Sequence, residues 1–304
     1  MNKPTLSVII PCYNQGCFLP EALMGVNDQK DIEIIIVNDG STDQETIELF
    51  KNLDRTKYVI IEQENKGLSN SRNIAIEKAK ADYILALDAD NIVMPEYYRK
   101  AIQILDENPA TGVVYSNPLF FGVRNEPIYL EDFNFPKVLH ANYIDACAIY
   151  RKEAWVQAGG YDVNMPVQGY EDWELWITIA KNGWKFHHLE EFLFKYRTKE
   201  VSMITNCILP ENQKKLLHYI RTKHKDLYVQ QQFDIISYLD SNIQKLTHQI
   251  VNERRDFIEK EKIYKKRIAA LEEATTALHQ DLTLLHAKAE SMRIKNRLKR
   301  FIKL

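Results

Sequence analysis

Apolar and polar positions follow two different rhythms along this chain. Over the first ninety residues, short apolar runs at 6–11, 32–37, 58–61 and 83–87 recur about every 25 residues. Each has strand length, and their near-continuous apolar character suits a sheet covered on both faces. The gaps between them carry helical patterns. Thr42-Asp43 caps a helix running to Lys51, with Glu45 as the capping-box partner of Thr42. The segment 68–80 offers Leu68, Ile74, Ala75, Ile76 and Ala79 as an inner face. Strand-helix alternation of this kind predicts an α/β fold with a mostly parallel, doubly wound sheet flanked by helices. Further along, 112–116 and 144–150 read as strands, and 118–135 as an aromatic, irregular loop over the site. A short helix at 152–158 ends at Gly159-Gly160, and another runs from Glu171 to Lys181.

The second rhythm begins at Leu239. Ile243, Ile250, Phe257, Tyr264, Leu271, Leu278, Leu285 and Met292 recur every seven residues in a polar segment with few breakers. A partial second set, Leu239 and Leu246, then Ile268, Leu282 and Ala289, changes flank, as a shifted seam does. A helix over 239–303 is roughly 95 Å long at about 1.5 Å per residue. So narrow a stripe does not stabilise a lone helix of that length, so it needs a partner. Self-association through a coiled coil is the leading expectation; folding back on the rest of the chain is the alternative. Arg293 to Leu304 hold six Lys or Arg, with Ile294, Leu298, Phe301 and Ile302 on one side. That segment reads as a membrane-surface helix or, equally, as a solvated helix end with cations at its negative pole.

Charge separates the same two parts. From Leu239 onward there are 15 Lys+Arg against 9 Asp+Glu, and the preceding residues hold 25 against 33. The chain therefore divides into a catalytic-size domain at 1–205, a helical connector at 206–238 and the long helix at 239–304. Cys12, Cys17, Cys147 and Cys207 form no CxxC pair and no zinc spacing, which predicts reduced thiols and a cytoplasmic setting. No signal peptide precedes the first strand, and no apolar run approaches the roughly 20 residues of a bilayer span. Attachment to the inner face of the plasma membrane is therefore expected to be peripheral at most.

Candidate chemistry gathers where the strands end. The run 83–87 is followed at once by Asp88-Ala89-Asp90-Asn91, and Pro95 then offers the first position of a helix. Ligands of open α/β sheets collect beyond the carboxyl ends of the strands. Oxygen ligands there suit a hard cation whose shell a phosphorylated substrate completes. The pair thus reads as a metal-diphosphate clamp, or more plainly as a polar turn. Neither a G-x-G-x-x-G nor a Walker-type phosphate loop is present, so this sheet does not cradle phosphates on glycines. Asp39 reads as a base or ribose acceptor or, equally, as part of a turn before a helix cap. Arg72 is a natural diphosphate partner.

Six stretches carry a resemblance. Ser7-Val-Ile-Ile-Pro-Cys-Tyr-Asn14, Val37-Asn-Asp-Gly-Ser-Thr-Asp43, Asn65-Lys-Gly-Leu-Ser-Asn-Ser-Arg-Asn73, Leu87-Asp-Ala-Asp90, Gly159-Gly-Tyr-Asp162 and Gly169-Tyr-Glu-Asp-Trp-Glu-Leu-Trp176 resemble, in order and spacing, the motifs of glycosyltransferase family 2. The resemblance spans roughly residues 4–205 and implies the GT-A fold. It implies a metal-assisted, inverting transfer from a nucleotide-diphosphate donor, most often a UDP-sugar, to a glycan or lipid-linked acceptor in polysaccharide synthesis. No nucleic-acid partner is implied. By the family pattern, Pro11, Tyr13, Asn14 and Asp39 line the nucleoside pocket, and Gly67 and Arg72 lie near the ribose and phosphates. Asp88 and Ala89 border the ribose or metal region, and Asp90 binds Mg2+ or Mn2+, with Asp88 beside it. Asp172 matches the catalytic base, and Glu171 orients the acceptor.

A first-turn acid is favoured by the helix dipole, so Asp172 is expected to be ionised; complementing that dipole is the plainer role for both acids. Tyr143, Tyr161, Trp173 and Trp176 are candidates for sugar stacking, with core packing the better expectation for at least half. One departure stands out. Where relatives carry a His after the last strand, this chain has Lys199, which pairs with a diphosphate but not with a metal while protonated. His187 and His188 read as strand residues. A nucleotidyltransferase is disfavoured by the missing glycine loop. A scaffold that recruits partners through its coil is the alternative of a different class.

Overall fold

The computed structural model describes residues 3–27 and 31–301. The chain divides into two compact units, Met1–Tyr238 and Leu239–Leu304. In the first unit β1 (Leu6–Cys12), α1 (Leu19–Met24), β2 (Ile32–Asp39), α2 (Gln44–Asn52), β3 (Val59–Gln63), α3 (Leu68–Lys78) and β4 (Tyr83–Ala86) follow the expected alternation. Then come β5 (Ile92–Val93), α4 (Pro95–Glu107), β6 (Thr111–Gly122), β7 (Glu126–Pro127), α5 (Phe135–His140), β8 (Ile149–Arg151) and α6 (Lys152–Ala158). The unit continues with α7 (Glu171–Lys181), β9 (Lys185–Thr198), α8 (Met203–Cys207), α9 (Pro210–Lys223) and α10 (Lys225–Gln230).

One sheet runs in the order β3-β2-β1-β4-β8-β6-β9-β5, with β7 beside β6. β1 pairs in parallel with β2 and β4, and β2 with β3, so the first half is the doubly wound sheet that the sequence predicts. The second half is mixed: β8 runs antiparallel between β4 and β6, β9 lies parallel to β6, and β5 antiparallel to β9.

Period-two alternation loads both faces of the sheet. Leu6, Val8, Ile10, Ile34, Ile36 and Leu85 enter the core beneath α1 and α4. Ile9, Ile35, Val37, Ile84 and Ala86 enter the opposite core, beneath α3, α6 and α7. Ile220 and Leu227, from α9 and α10, are buried in that second core, so 206–238 packs into the same unit instead of linking two bodies.

Several local expectations are corrected. Asp43, not Thr42, caps α2, its carboxylate accepting from the Thr46 N–H at 2.8 Å, because Thr42 is engaged by Asn14. The inner face of α3 includes Ser71 and Arg72, and Leu68 and Ile74 are only half-buried. Residues 118–121, read as loop, extend β6 because β9 pairs with them in parallel. The strand expected over 144–150 shrinks to Ile149–Arg151, since Asn142 and Asp145 bend the preceding chain through side-chain bonds to the backbone two residues on.

The helix α11 (Gln232–Phe301, 70 residues) begins in the first unit and forms the second. Along it Ile243, Ile250, Phe257, Tyr264, Leu271 and Leu278 are each at least 60% exposed, so the seven-residue stripe is uncovered over that length. The side chains of Leu285 and Met292, and those of the basic segment 293–304, lie outside the described residues. Among the described residues no helix is long and apolar enough to cross a membrane.

Candidate active site

The loops beyond the carboxyl ends of β1, β2 and β3 are tied to one another by their own polar side chains. Asn14 adopts φ 52° and bridges two loops. Its Oδ1 accepts from the Thr42 and Asp43 N–H groups at 2.7 and 3.1 Å, and its Nδ2 donates to Thr42 Oγ1 at 3.2 Å. Pro11 is buried just before it, and Tyr13 stands 45% exposed at the rim.

Asp39 is almost wholly buried and accepts three bonds: from Gln63 Nε2 at 2.7 Å, Lys66 N–H at 2.8 Å and Gly67 N–H at 2.9 Å. It therefore holds the β3–α3 loop in this conformation. Gly67 opens α3 at φ 87°, and a Cβ there would meet Gln168 Nε2 at 2.6 Å. The left-handed backbone is what favours glycine there.

Arg72 projects inward from α3 and is 1% exposed. Its guanidinium donates to Asp88 Oδ1 at 2.7 Å and to Glu171 Oε1 at 2.6 Å, and lies over the Tyr161 ring at 5.2 Å. Burial alone would loosen its proton, but Asp88, Tyr161, Glu171 and Asp172 outweigh burial, so it stays charged. Arg72 thus joins the end of β4 to the start of α7. Glu171, expected to orient an acceptor, is buried and turned to Arg72.

Asp88 and Asp90 follow β4, separated by the fully buried Ala89. The two acids face different cations. Asp88 takes Arg72, and Asp90 takes Lys199 Nζ at 2.5 Å, with Asp90's side chain only 12% exposed. They are still close enough to repel. Burial, then Asp88, pushes the Asp90 carboxyl above its ordinary range, against the pull of Lys199. Oxygen donors of this kind suit Mg2+ or Mn2+ when a diphosphate supplies further oxygens. Among the described residues no group of three or more His, Cys, Asp or Glu is arranged to hold a metal alone. The pair therefore fits a metal carried with a diphosphate.

Asp172 sits in the first turn of α7, with Oδ1 accepting from the Trp173 N–H at 2.7 Å and Oδ2 from Asn142 Nδ2 at 3.1 Å. Burial, then repulsion from Glu171 and Asp145, raises its carboxyl well above the ordinary range. Desolvation opposes the helix dipole here, so the affinity of Asp172 for a proton is higher than the dipole alone predicts. The preceding Tyr170 is left-handed at φ 64°, a costly conformation for a bulky residue, and its ring packs edge-on against Trp173. That turn sets the direction in which α7 leaves the loop.

Asp145 is a site residue that the sequence reading missed. It lies within electrostatic reach of Asp88, Asp90, Arg72 and Asp172, and burial, then Asp88, pushes it up to about 7. An acid inside an otherwise apolar run was the available signal, because a carboxylate there must find a role or neutralise. Of the aromatic candidates, Tyr161, Trp173 and Trp176 are core residues whose polar atoms are bonded inward; Tyr143 is half-buried. His187 and His188 lie in β9, and His188 stacks on Tyr115 and bonds Asn117.

Residues 7–157 match the family model described as Glycosyl transferase family 2. A glycosyltransferase of Haemophilus influenzae, itself uncharacterised, is 28% identical over 284 residues, covering 88% of this chain and 94% of its own. The structure of S. aureus TarS 1–349 in complex with UDP-GlcNAc superposes with a TM-score of 0.59 at 20% identity, over 72% of this chain and 66% of that one. The mannosyltransferase PcManGT of Pyrobaculum calidifontis, in complex with GDP-Man and Mn2+, gives 0.56 at 19% identity, over 73% and 64%. These likenesses establish the GT-A fold.

Proposed function

Because the chain belongs to glycosyltransferase family 2, we propose that it moves a sugar from a UDP-sugar to a hydroxyl of a glycan or lipid-linked acceptor, with inversion. The observation that carries this reading is a contrast among four acids within electrostatic reach of one another. Asp88 and Asp90 are matched with cations, while Asp145 and Asp172 form no ion pair among the described residues. A donor's diphosphate and its metal belong with the first two; an acceptor hydroxyl belongs with the second two.

Asp172 takes the acceptor's proton. The hydroxyl oxygen bonds to the anomeric carbon, and the bond from that carbon to the diphosphate breaks with its electron pair on the leaving oxygen. A carboxylate whose affinity for a proton is raised by burial is a better base for this step than an exposed one. Asn142 holds its Oδ2 side in place. Arg72 fixes Asp88 and Glu171 so that the donor edge and the base stay in register. Asp90 and Asp88 would hold Mg2+ or Mn2+ together with the diphosphate, and such an ion would supply Lewis-acid stabilisation of the leaving group. Lys199 and Tyr13 border the donor side.

The uncovered stripe of α11 takes a second copy of this chain, because an apolar residue at every seventh position is the pattern that pairs helices with their own kind. Product and acceptor belong to cell-envelope polysaccharide synthesis on this reading, at the inner membrane face. Thermal melting of the full chain with UDP, GDP or dTDP, each with and without Mn2+, tests the donor. UDP with Mn2+ is expected to raise Tm by a few degrees; no shift with any diphosphate would sink the reading.

A further inference from the structure

Lys199 is placed with more care than a chance surface contact requires. The strand that ends just before it, β9, is pinned to the turn that carries Asp90 in three ways. Ile92 and Val93, just past the turn, pair with Lys195 and Phe194. The Arg197 N–H donates to Asn91 Oδ1 at 2.9 Å, and Arg197 Nε donates to the Asp90 carbonyl at 3.1 Å. The Arg197 guanidinium is itself held between Phe18 and Phe121, at 4.6 and 4.3 Å from the ring centroids, and pairs with Glu21. Two residues on, Lys199 reaches Asp90 Oδ2 at 2.5 Å and rests 5.1 Å from the centre of the Phe18 ring.

Asp90 is thus neutralised before any ligand arrives. A divalent ion approaching alone has to evict the ammonium and then tolerate it as a near neighbour. Repulsion between a divalent and a monovalent cation a few ångströms apart is large at a partly buried site. A nucleotide diphosphate changes this balance, since its oxygens offer Lys199 a new partner at the moment Asp90 is released. We propose that Lys199 is a resident counter-cation that makes metal binding at Asp90 conditional on the nucleotide diphosphate. Metal and nucleotide then bind as a coupled pair, each strengthening the other by the same factor. This inference rests on the metal-assisted reading given above.

The test is Mn2+ binding by the full chain, followed by loss of the free-ion electron paramagnetic resonance signal, with no nucleotide and then with UDP or GDP. Without nucleotide, Lys199→Gln is expected to bind Mn2+ about tenfold or more tightly than the wild type. Lys199→Arg, which keeps the charge, is expected to match the wild type. Adding Asp90→Asn to Lys199→Gln is expected to erase the gain. With nucleotide, the wild type is expected to bind Mn2+ at least as tightly as Lys199→Gln. If the wild type binds Mn2+ with nucleotide while Lys199→Gln shows no gain without it, the inference is overturned and the metal-assisted reading survives. If the wild type and Lys199→Gln bind no Mn2+ even with nucleotide, both are overturned.

Discussion

Asp39 ends β2 and Asp172 lies in the first turn of α7, and the chain uses these two acids in opposite ways. Asp39 accepts three bonds and is nearly sealed from solvent. Asp172 accepts two, both from neutral donors, beside two further carboxylates that raise its affinity for a proton. The same division runs through the two halves of the sheet. In the parallel half Asn14, Asp39 and Asp43 bond the loops to each other, whereas in the mixed half the half-buried Asp145 and Asp172 form no ion pair among the described residues. Asp39, with three bonds to neighbouring loops, holds a frame. Acids left under-bonded at a cost are kept for a ligand.

The widest gap between the two is expected in catalysis. Asp172→Asn removes the proton acceptor and should lower sugar transfer by about 10²–10⁴-fold. It also relieves repulsion with Glu171 and Asp145, so the melting temperature should hold or rise. Transfer within a few-fold of the wild type would break the comparison at its functional end. Asp39→Ala should do the reverse in kind. It strands the Lys66 and Gly67 N–H groups and should cost about 2–4 kcal/mol in denaturant unfolding. A stability change below about 0.5 kcal/mol would show that Asp39 does not hold the frame.

The parallel half was legible because its information is local. Strand-length apolar runs at regular intervals and a proline at the start of α4 depend on neighbours in sequence. The mixed half was not, because β6 is carried through Phe121 by pairing with β9, some seventy residues later, beside a two-residue β7. The site divides in the same way. Asp88, Asp90, Arg72 and Asp172 were named from motif position, yet what each one touches depends on long-range contacts: Arg72 meets Glu171 across 99 residues. Asp145 carried no motif at all, and its importance comes from other acids that the fold brings near.

Asp145 allows the comparison to be sharpened by pH. Its carboxyl is raised from an ordinary 3.8 to about 7, so the folded state holds a proton that the unfolded chain gives up. Stability is therefore lost as pH rises from about 4 to about 7, and the loss is complete above that. Asp145→Asn removes it. The variant should be more stable than the wild type by about 1–3 kcal/mol at pH 8, and equal to it near pH 4, in unfolding curves taken across that range. A constant difference at all pH values would mean that Asp145 is not the strained member of the group.

The smallest effect on the catalytic unit is expected from removing the long helix. Ile235 still packs against the core of the first unit, but from Ile243 to Leu278 the described apolar residues of α11 are exposed. A chain ending at Tyr238 should keep its melting temperature within about 2 °C, since the cut removes no core contact. Its mass by sedimentation should instead fall to that of one copy, against two for the full chain. The contrast then extends from side chains to whole segments. The sheet strands of the first unit bury their apolar residues in two cores, while the heptad stripe, like Asp172, is left open for a partner. An unchanged oligomeric state after the cut would remove the stripe from that argument and leave the acids to carry it alone.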